Sequence, residues 1–197
     1  RRHSLRSERA VSGNGSAGMK KSAVAGVAGV MLALAAVFIA PPAAQAELRG
    51  HGGFVKGIAV TPDGRRAVSA SFDYSIILWN LDSQEALEIL DDHDGAVNAV
   101  ALLDEGRKAL SASDDGTLRL WDLEMGKLLH VFTGHEGKVA GVAVSPDGRL
   151  AASAGWDRTA RLWDLEARKE LFVLDEHRSN VNAVAFSHDG RHPLTGT

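Results

Sequence analysis

Histidines recur at a fixed interval of 42 residues, at His51, His93, His135 and His177, and tryptophans keep the same interval at Trp79, Trp121 and Trp163. Aligning the chain on these anchors brings Ser69, Ser111, Ser153 and Thr195 into one column and Asp73, Asp115 and Asp157 into another. Four columns in one register do not arise by chance. A period of this length constrains the fold more than any local propensity, because one supersecondary unit must be built several times and stacked on itself. The repeats run over 51–92, 93–134 and 135–176, with a partial copy over 177–197.

Each unit reads as short strands punctuated by turns. In the third, Val139–Val144 leads through Ser145, Pro146, Asp147 and Gly148 to Leu150–Ser153. Pro62 and Pro146 preset φ at the first central turn position, and Gly64, Gly106, Gly148 and Gly190 supply the left-handed conformation that a hairpin needs. A second turn centres on Asp73, Asp115 and Asp157. The next strand is read as Ile76–Trp79, Thr117–Trp121 or Thr159–Trp163, and a polar connection then leads to an outer strand such as Leu128–Phe132. Four strands in about 42 residues is the length of one propeller blade. Apolar residues at positions of both parities fit sheets covered on both faces by neighbouring blades. The expected fold is all-β: a β-propeller of four-stranded blades over 47–197, three complete and part of a fourth, preceded by a signal peptide.

Gly134-His135, with the closing Leu120-Trp121-Asp122 and Leu162-Trp163-Asp164, resembles the WD-repeat β-propellers, and the resemblance covers 48–197. Asp92 and Glu176 depart from it where Gly would precede His, and Asn80 where Asp would follow Trp. Pro193 falls near the start of a strand, where it is tolerated only at the first position because it lacks a ladder donor. The resemblance implies that His, Ser, Asp and Trp of one unit form a buried hydrogen-bond chain fastening the loop before the first strand to the strand ending at Trp. The sets would be His51, Ser69, Asp73 and Trp79; His93, Ser111, Asp115 and Trp121; and His135, Ser153, Asp157 and Trp163, with His177 and Thr195 beginning a fourth. The side chains suit this, since imidazole can donate on one nitrogen and accept on the other, carboxylate only accepts, and the indole N–H only donates.

Serine, histidine and aspartate together also suggest a hydrolytic triad. A triad needs one copy with an exposed nucleophile and an oxyanion site, whereas this set recurs in every unit, so no catalytic residue and no enzymatic activity are expected. Histidines 42 residues apart lie in different blades, and His188 with His192 is too sparse a pair, so neither a metal site nor a cofactor is expected.

The N-terminal part reads as an address. Met19-Lys20-Lys21 is followed by an apolar and small-residue run from Ser22 to Ala40 and by Pro41-Pro42. Ala44-Gln45-Ala46 then offers small residues to a signal peptidase, placing cleavage between Ala46 and Glu47. The alternative is an uncleaved anchor, since 19 apolar residues are about the minimum that spans a bilayer. Residues 1–18 read as an upstream segment translated in error and, on composition, disordered. The expected destination is the periplasm, or the periplasmic side of a membrane if the anchor is retained. From Glu47 onward 16 Lys and Arg face 24 Asp and Glu, a formal charge of −8 that repels phosphate backbones, so nucleic acid is not an expected partner. There is no cysteine, hence neither a disulfide framework nor a thiolate metal site within this chain.

In the WD-repeat propellers that this chain resembles, partners dock on the face carrying the loops before the first strand and the turns between the second and third. The residue before the turn aspartate varies here as Phe72, Asp114 and Trp156, and the second residue of the first strand as Lys56, Asn98, Ala140 and Asn182. Variation at fixed scaffold positions suits recognition, because each loop can change without moving its blade. Phe72 and Trp156 serve either as interface anchors or as packing against the adjacent blade, and Tyr74 is placed to cover Phe72.

The function expected is a non-catalytic scaffold that binds another exported or envelope protein. The competing reading makes these blades part of a larger exported enzyme or c-type cytochrome electron carrier, whose sign would be Cys-x-x-Cys-His beyond residue 197. A small-molecule site in a central channel is disfavoured, since the first strands offer mainly Val, Ala and Gly. Glu47-Leu48-Arg49-Gly50 aligns with the outer-strand end that precedes each later histidine, so this segment would donate an outer strand to a closing blade of a ring that commonly has seven.

Overall fold

The computed structural model describes residues 48–197. The leader read over 19–46, the segment 1–18 and the junction between Ala46 and Glu47 lie outside the described residues. Three antiparallel four-stranded sheets follow one another along the chain. The first comprises β1 (Val55–Val60), β2 (Arg66–Ser71), β3 (Ile76–Asn80) and β4 (Glu85–Leu90). The second comprises β5 (Val97–Leu103), β6 (Lys108–Ser113), β7 (Leu118–Asp122) and β8 (Lys127–Phe132). The third comprises β9 (Val139–Val144), β10 (Leu150–Gly155), β11 (Ala160–Asp164) and β12 (Lys169–Leu174), and a hairpin of β13 (Ala183–Phe186) and β14 (Pro193–Gly196) comes last. Strand order in every sheet is chain order, and β1 lies beside β5, β5 beside β9 and β9 beside β13. Such a series of meanders joined along their first strands is consistent with consecutive blades of a propeller, and each four-stranded sheet is called a blade below.

The first turn of the first and third blades and the turn of the last hairpin are each fixed by a hydroxyl. Thr61 Oγ1 donates to Asp63 Oδ1 at 2.5 Å and accepts the Arg66 N–H at 3.0 Å, and Ser145 and Ser187 repeat the pattern with Asp147 and Asp189. Leu103 occupies this column in the second blade. Without the hydroxyl, the connection there becomes a short 3-10 turn over Asp104–Gly106, with Asp104 and Glu105 both at φ 54°. Strands β7 and β11 begin one residue later than the sequence reading placed them. Thr117 and Thr159 stay in the turn because both their N–H and hydroxyl groups bond to the Asp115 and Asp157 carboxylates. Pro193 opens β14 opposite Phe186, the position where a missing donor costs least.

The core lies between sheets. Val68, Ala70, Ile76 and Leu78 of the first blade pack against Val97, Ala109, Trp121 and Leu123 of the second. One blade on, Leu110, Ala112, Leu118 and Leu120 meet Val139, Ala151, Trp163 and Leu165, while Ala154 and Ala160 meet Val181. Full burial of each large aliphatic side chain contributes roughly 1.5–3 kcal/mol, so the contact between blades is the main apolar term. On the other face of the first blade Val55, Ile58 and Val60 remain 54%, 63% and 54% exposed. Residues 48–50 form no strand, yet Leu48 packs over Ala67, Ile77 and Trp79. Leu90 and Phe132, one and two repeats later, sit on Trp121 and Trp163 in the same way, the latter pair with ring centroids 5.5 Å apart.

Candidate functional site

Two groups of repeated residues compete for attention: the interior hydrogen-bond sets and the loop face above them. In the first blade His51 Nδ1 lies 2.9 Å from Asp73 Oδ2, His51 Nε2 2.7 Å from Ser69 Oγ, and Trp79 Nε1 donates to the same Oγ at 2.7 Å. The corresponding distances are 2.7, 2.7 and 2.8 Å for His93, Ser111, Asp115 and Trp121, and 2.8, 2.7 and 2.9 Å for His135, Ser153, Asp157 and Trp163. A carboxylate can only accept, so the imidazole proton sits on Nδ1 and Nε2 accepts from the serine hydroxyl. That oxygen in turn accepts from the indole. Each serine is therefore saturated on both sides and buried, at 4%, 0% and 0% exposure for Ser69, Ser111 and Ser153, and is not available as a nucleophile.

The aspartates also hold the backbone. Their Oδ2 atoms accept the N–H groups of Gly52, Asp94 and Glu136, tying the loop before each first strand to the turn after each second strand. Burial by itself would raise these carboxyl groups, but hydrogen bonds outweigh it. For Asp73 these come from the Ser75 side chain and backbone, His51 and Gly52, and for Asp115 from His93 and Thr117, leaving both well below the ordinary carboxylate range. Asp157, bonded by Thr159, His135 and Glu136, is lowered to about 2. Burial lowers His135 despite the opposing pull of Asp157, favouring the neutral ring that the chain of bonds requires. In the last unit His177 Nε2 reaches Thr195 Oγ1 at 2.9 Å, and its Nδ1 is buried without a hydrogen-bond partner among the described residues.

Sequence reasoning missed two members of these sets. Arg119 and Arg161 stand in the column of Ile77, with guanidinium nitrogens 3.6 and 3.7 Å from the Asp115 and Asp157 carboxylates. Arg119 also bonds the Asp92 carbonyl, and Arg161 pairs with Glu170 at 2.6 Å. An arginine at the same place in two otherwise apolar strands was the available signal.

The loop face is built by a backbone device. In the pairing of β1 with β2, Val55 faces Ser71 and Gly57 faces Ala70, leaving Lys56 as an extra, unpaired residue. Asn98 and Ala140 are the equivalent bulged residues of β5 and β9. A β-bulge re-aims the side chain it carries, which turns these positions out of the alternation toward the edge of the sheet. Asn182 precedes β13 and bonds through its N–H to the Gly196 carbonyl at 2.8 Å. The turn residues are pinned to the neighbouring loops, since the N–H groups of Phe72, Asp114 and Trp156 bond the carbonyls of Phe54, Ala96 and Lys138 at 2.9, 2.8 and 2.8 Å.

Lys56, Phe72, Asn98, Asp114, Ala140, Trp156 and Asn182 all border one depression of about 290 Å³, together with Lys138, which sequence reasoning did not single out. A polar chain crosses it from blade to blade. Asn98 Nδ2 donates to Asp114 Oδ1 at 2.7 Å and to the Val139 carbonyl at 2.9 Å, Lys138 donates to Asp114 Oδ2, and Trp156 Nε1 donates to Asn182 Oδ1 at 3.1 Å. The Lys138 and Lys56 ammonium groups lie 5.3 and 5.4 Å from the ring centroids of Trp156 and Phe72. Both rings stay half-exposed, at 46% and 45%. Tyr74 does not cover Phe72 as the sequence suggested. It is itself 49% exposed at φ 72°, and the ring set edge-on to Phe72 is Phe54, at 6.5 Å.

No curated protein matches the chain. A family model described as WD domain, G-beta repeat matches four segments, 43–80, 84–122, 126–164 and 168–197. The second and third matches each run from the outer strand of one blade through the third strand of the next, and the first begins ahead of Ala46 and Glu47. Repeats of this type generally mediate protein–protein interaction and are typically non-catalytic. With the repeated sets formed in three successive blades and the matched segments covering most of its length, the chain belongs to the WD domain, G-beta repeat family.

Proposed function

We propose that this chain is a non-catalytic WD-repeat scaffold of the cell envelope, folded as a β-propeller over 47–197, that binds a protein partner on the loop face of its blades. One observation carries the reading. The residues that vary from repeat to repeat border a single depression fed by four successive units, whereas the residues that recur are committed to the interior. A surface that changes on a scaffold that does not is the division of labour expected of a recognition module. The envelope assignment is supported by the order of Met19-Lys20-Lys21, the apolar run 22–40 and Ala44-Gln45-Ala46, which would release a mature chain beginning at Glu47.

Site-specific photo-crosslinking tests the docking face. A photoreactive residue at position 156 should yield a discrete protein adduct in cells, and one at position 125, where Met125 is 61% exposed on the turn between β7 and β8, should not. Adducts from position 125 alone would sink the assignment. Export is tested by the N-terminal sequence of the protein recovered from cells: Glu47 supports cleavage, and an intact Met19 overturns it.

A further inference from the structure

The balance of donors and acceptors in the depression points to the chemistry of what fills it. Asp114 is its one acidic residue, and both carboxylate oxygens are occupied, Oδ1 by the Asn98 amide and Oδ2 by Lys138. Lys56 forms no ion pair with any carboxylate among the described residues, and its ammonium group lies over the face of Phe72 at 5.4 Å. Lys138 has three N–H donors and gives one of them to Asp114. The indole of Trp156 can only donate, which fixes Oδ1 of Asn182 as the acceptor and leaves the Asn182 amide nitrogen as an unused donor. The depression therefore offers donors and a net positive charge, inside a segment whose formal charge from Glu47 onward is −8.

We infer that this depression receives a carboxylate side chain from an acidic peptide segment of the partner, held by the ammonium groups of Lys56 and Lys138 and flanked by Phe72 and Trp156. The inference rests on the docking-face reading above and adds the ligand's chemistry to it. A basic side chain would find only Asp114, already neutralised, and would have to displace Lys138. A continuous polyanion such as nucleic acid would be repelled by the net negative charge of the segment from Glu47 onward, whereas a single carboxylate is drawn to the local positive spot. A volume of about 290 Å³ suits one or two side chains of an extended segment, and the two half-exposed rings provide apolar walls for their stems.

The test is selection of random heptapeptides displayed on phage against the immobilised full chain at low salt. Enrichment of Asp and Glu is expected, and a synthetic peptide so selected should bind roughly tenfold more weakly to Lys56→Gln, the loss expected for one partly exposed charge-assisted bond, and more weakly still to the unaltered chain when its acidic residue is replaced by the amide, which gives up the charge contact with Lys138 as well. Lys56 has no structural partner beyond the Phe72 ring, so unchanged tryptophan fluorescence of this variant separates lost binding from lost fold. The Lys56→Gln/Lys138→Gln pair should lose more, and raising the salt should remove most of the difference. Enrichment of Lys and Arg, or of apolar peptides without charge, overturns the carboxylate assignment while leaving the docking face intact if Trp156→Ala still abolishes binding. Equal retention of a single-stranded oligonucleotide overturns the choice of a peptide. Peptides indifferent to both Phe72→Ala and Trp156→Ala, or no peptide retained at all, overturn the docking face as well.

Discussion

The first and second blades carry the same four anchors at the same spacing, and their hydrogen-bond sets agree in every distance to within about 0.2 Å. Their surroundings differ sharply. Val97 and Trp121 are fully buried against the first blade, whereas Val55, in the column of Val97, is 54% exposed. The Asp115 side chain is 7% exposed beside Arg119, while Asp73 is 21% exposed with Ile77 in place of the arginine. A blade thus forms its internal chain of bonds without a sheet on its outer face, but a neighbour decides how much each bond is shielded from water and how much apolar surface stabilises it.

The largest test of that contrast is Asp115→Ala against Asp73→Ala. The former strips an acceptor from His93, Thr117 and Arg119 in a dry site and should cost about 3–5 kcal/mol, the latter about 1–2 kcal/mol. Urea unfolding would measure both, and equal losses would break the comparison. Next comes the interface between blades. Val97→Ala should cost about 1.5–3 kcal/mol and Val55→Ala less than about 0.5 kcal/mol, so a large loss from Val55→Ala would mean that its face is covered in solution.

Acid should act on the hydrogen-bond sets themselves rather than on the contacts between blades. Asp157 has its folded pKa lowered from 3.8 to about 2, so the unfolded chain takes up the proton first, and the stability held by this carboxylate above pH 4 is lost as pH falls to about 2. His135 is likewise lowered, from an ordinary value of 6.5, so protonation there begins to favour the unfolded chain below that pH. Thermal melts from pH 7 to pH 2 should show Tm falling throughout, and a rise on acidification would contradict the assigned protonation states. The smallest effect concerns one turn position, where Gln84 and Gly126 both adopt φ 61°. Gln84→Gly should stabilise by about 0.5–1 kcal/mol and Gly126→Ala should destabilise by about 1 kcal/mol, since only glycine takes this conformation without strain.

Much of this was legible in the chain because its signals are local. The glycines at the first turns take φ between 70° and 83°, and the recurring His, Ser, Asp and Trp of one unit meet as hydrogen-bonded sets. Other features were not legible, for definite reasons. The bulges at Lys56, Asn98 and Ala140 exist only relative to a partner strand, so nothing in one strand's own residues announces them. Lys138 precedes its first strand by one residue and reads as an ordinary loop cation until the structure sets it against Asp114 and Trp156 of two different blades. Arg119 and Arg161 repeat at the interval of the anchors and were open to reading, but a charged residue in an apolar strand is interpretable only once its carboxylate is in view.

By itself the sequence determined the unit: four strands, two turns that require their glycines and aspartates, and a bonded set whose members lie 10, 18 and 22 residues apart within one repeat. These separations are short enough for hairpin geometry and side-chain chemistry to bring the groups together. What only the tertiary structure decided is how repeats meet: which face of each sheet is dry, and that Lys56, Asn98, Ala140 and Asn182 converge on one depression. Residues 42 positions apart share no hairpin, and it is the burial of apolar surface between stacked sheets that brings them together.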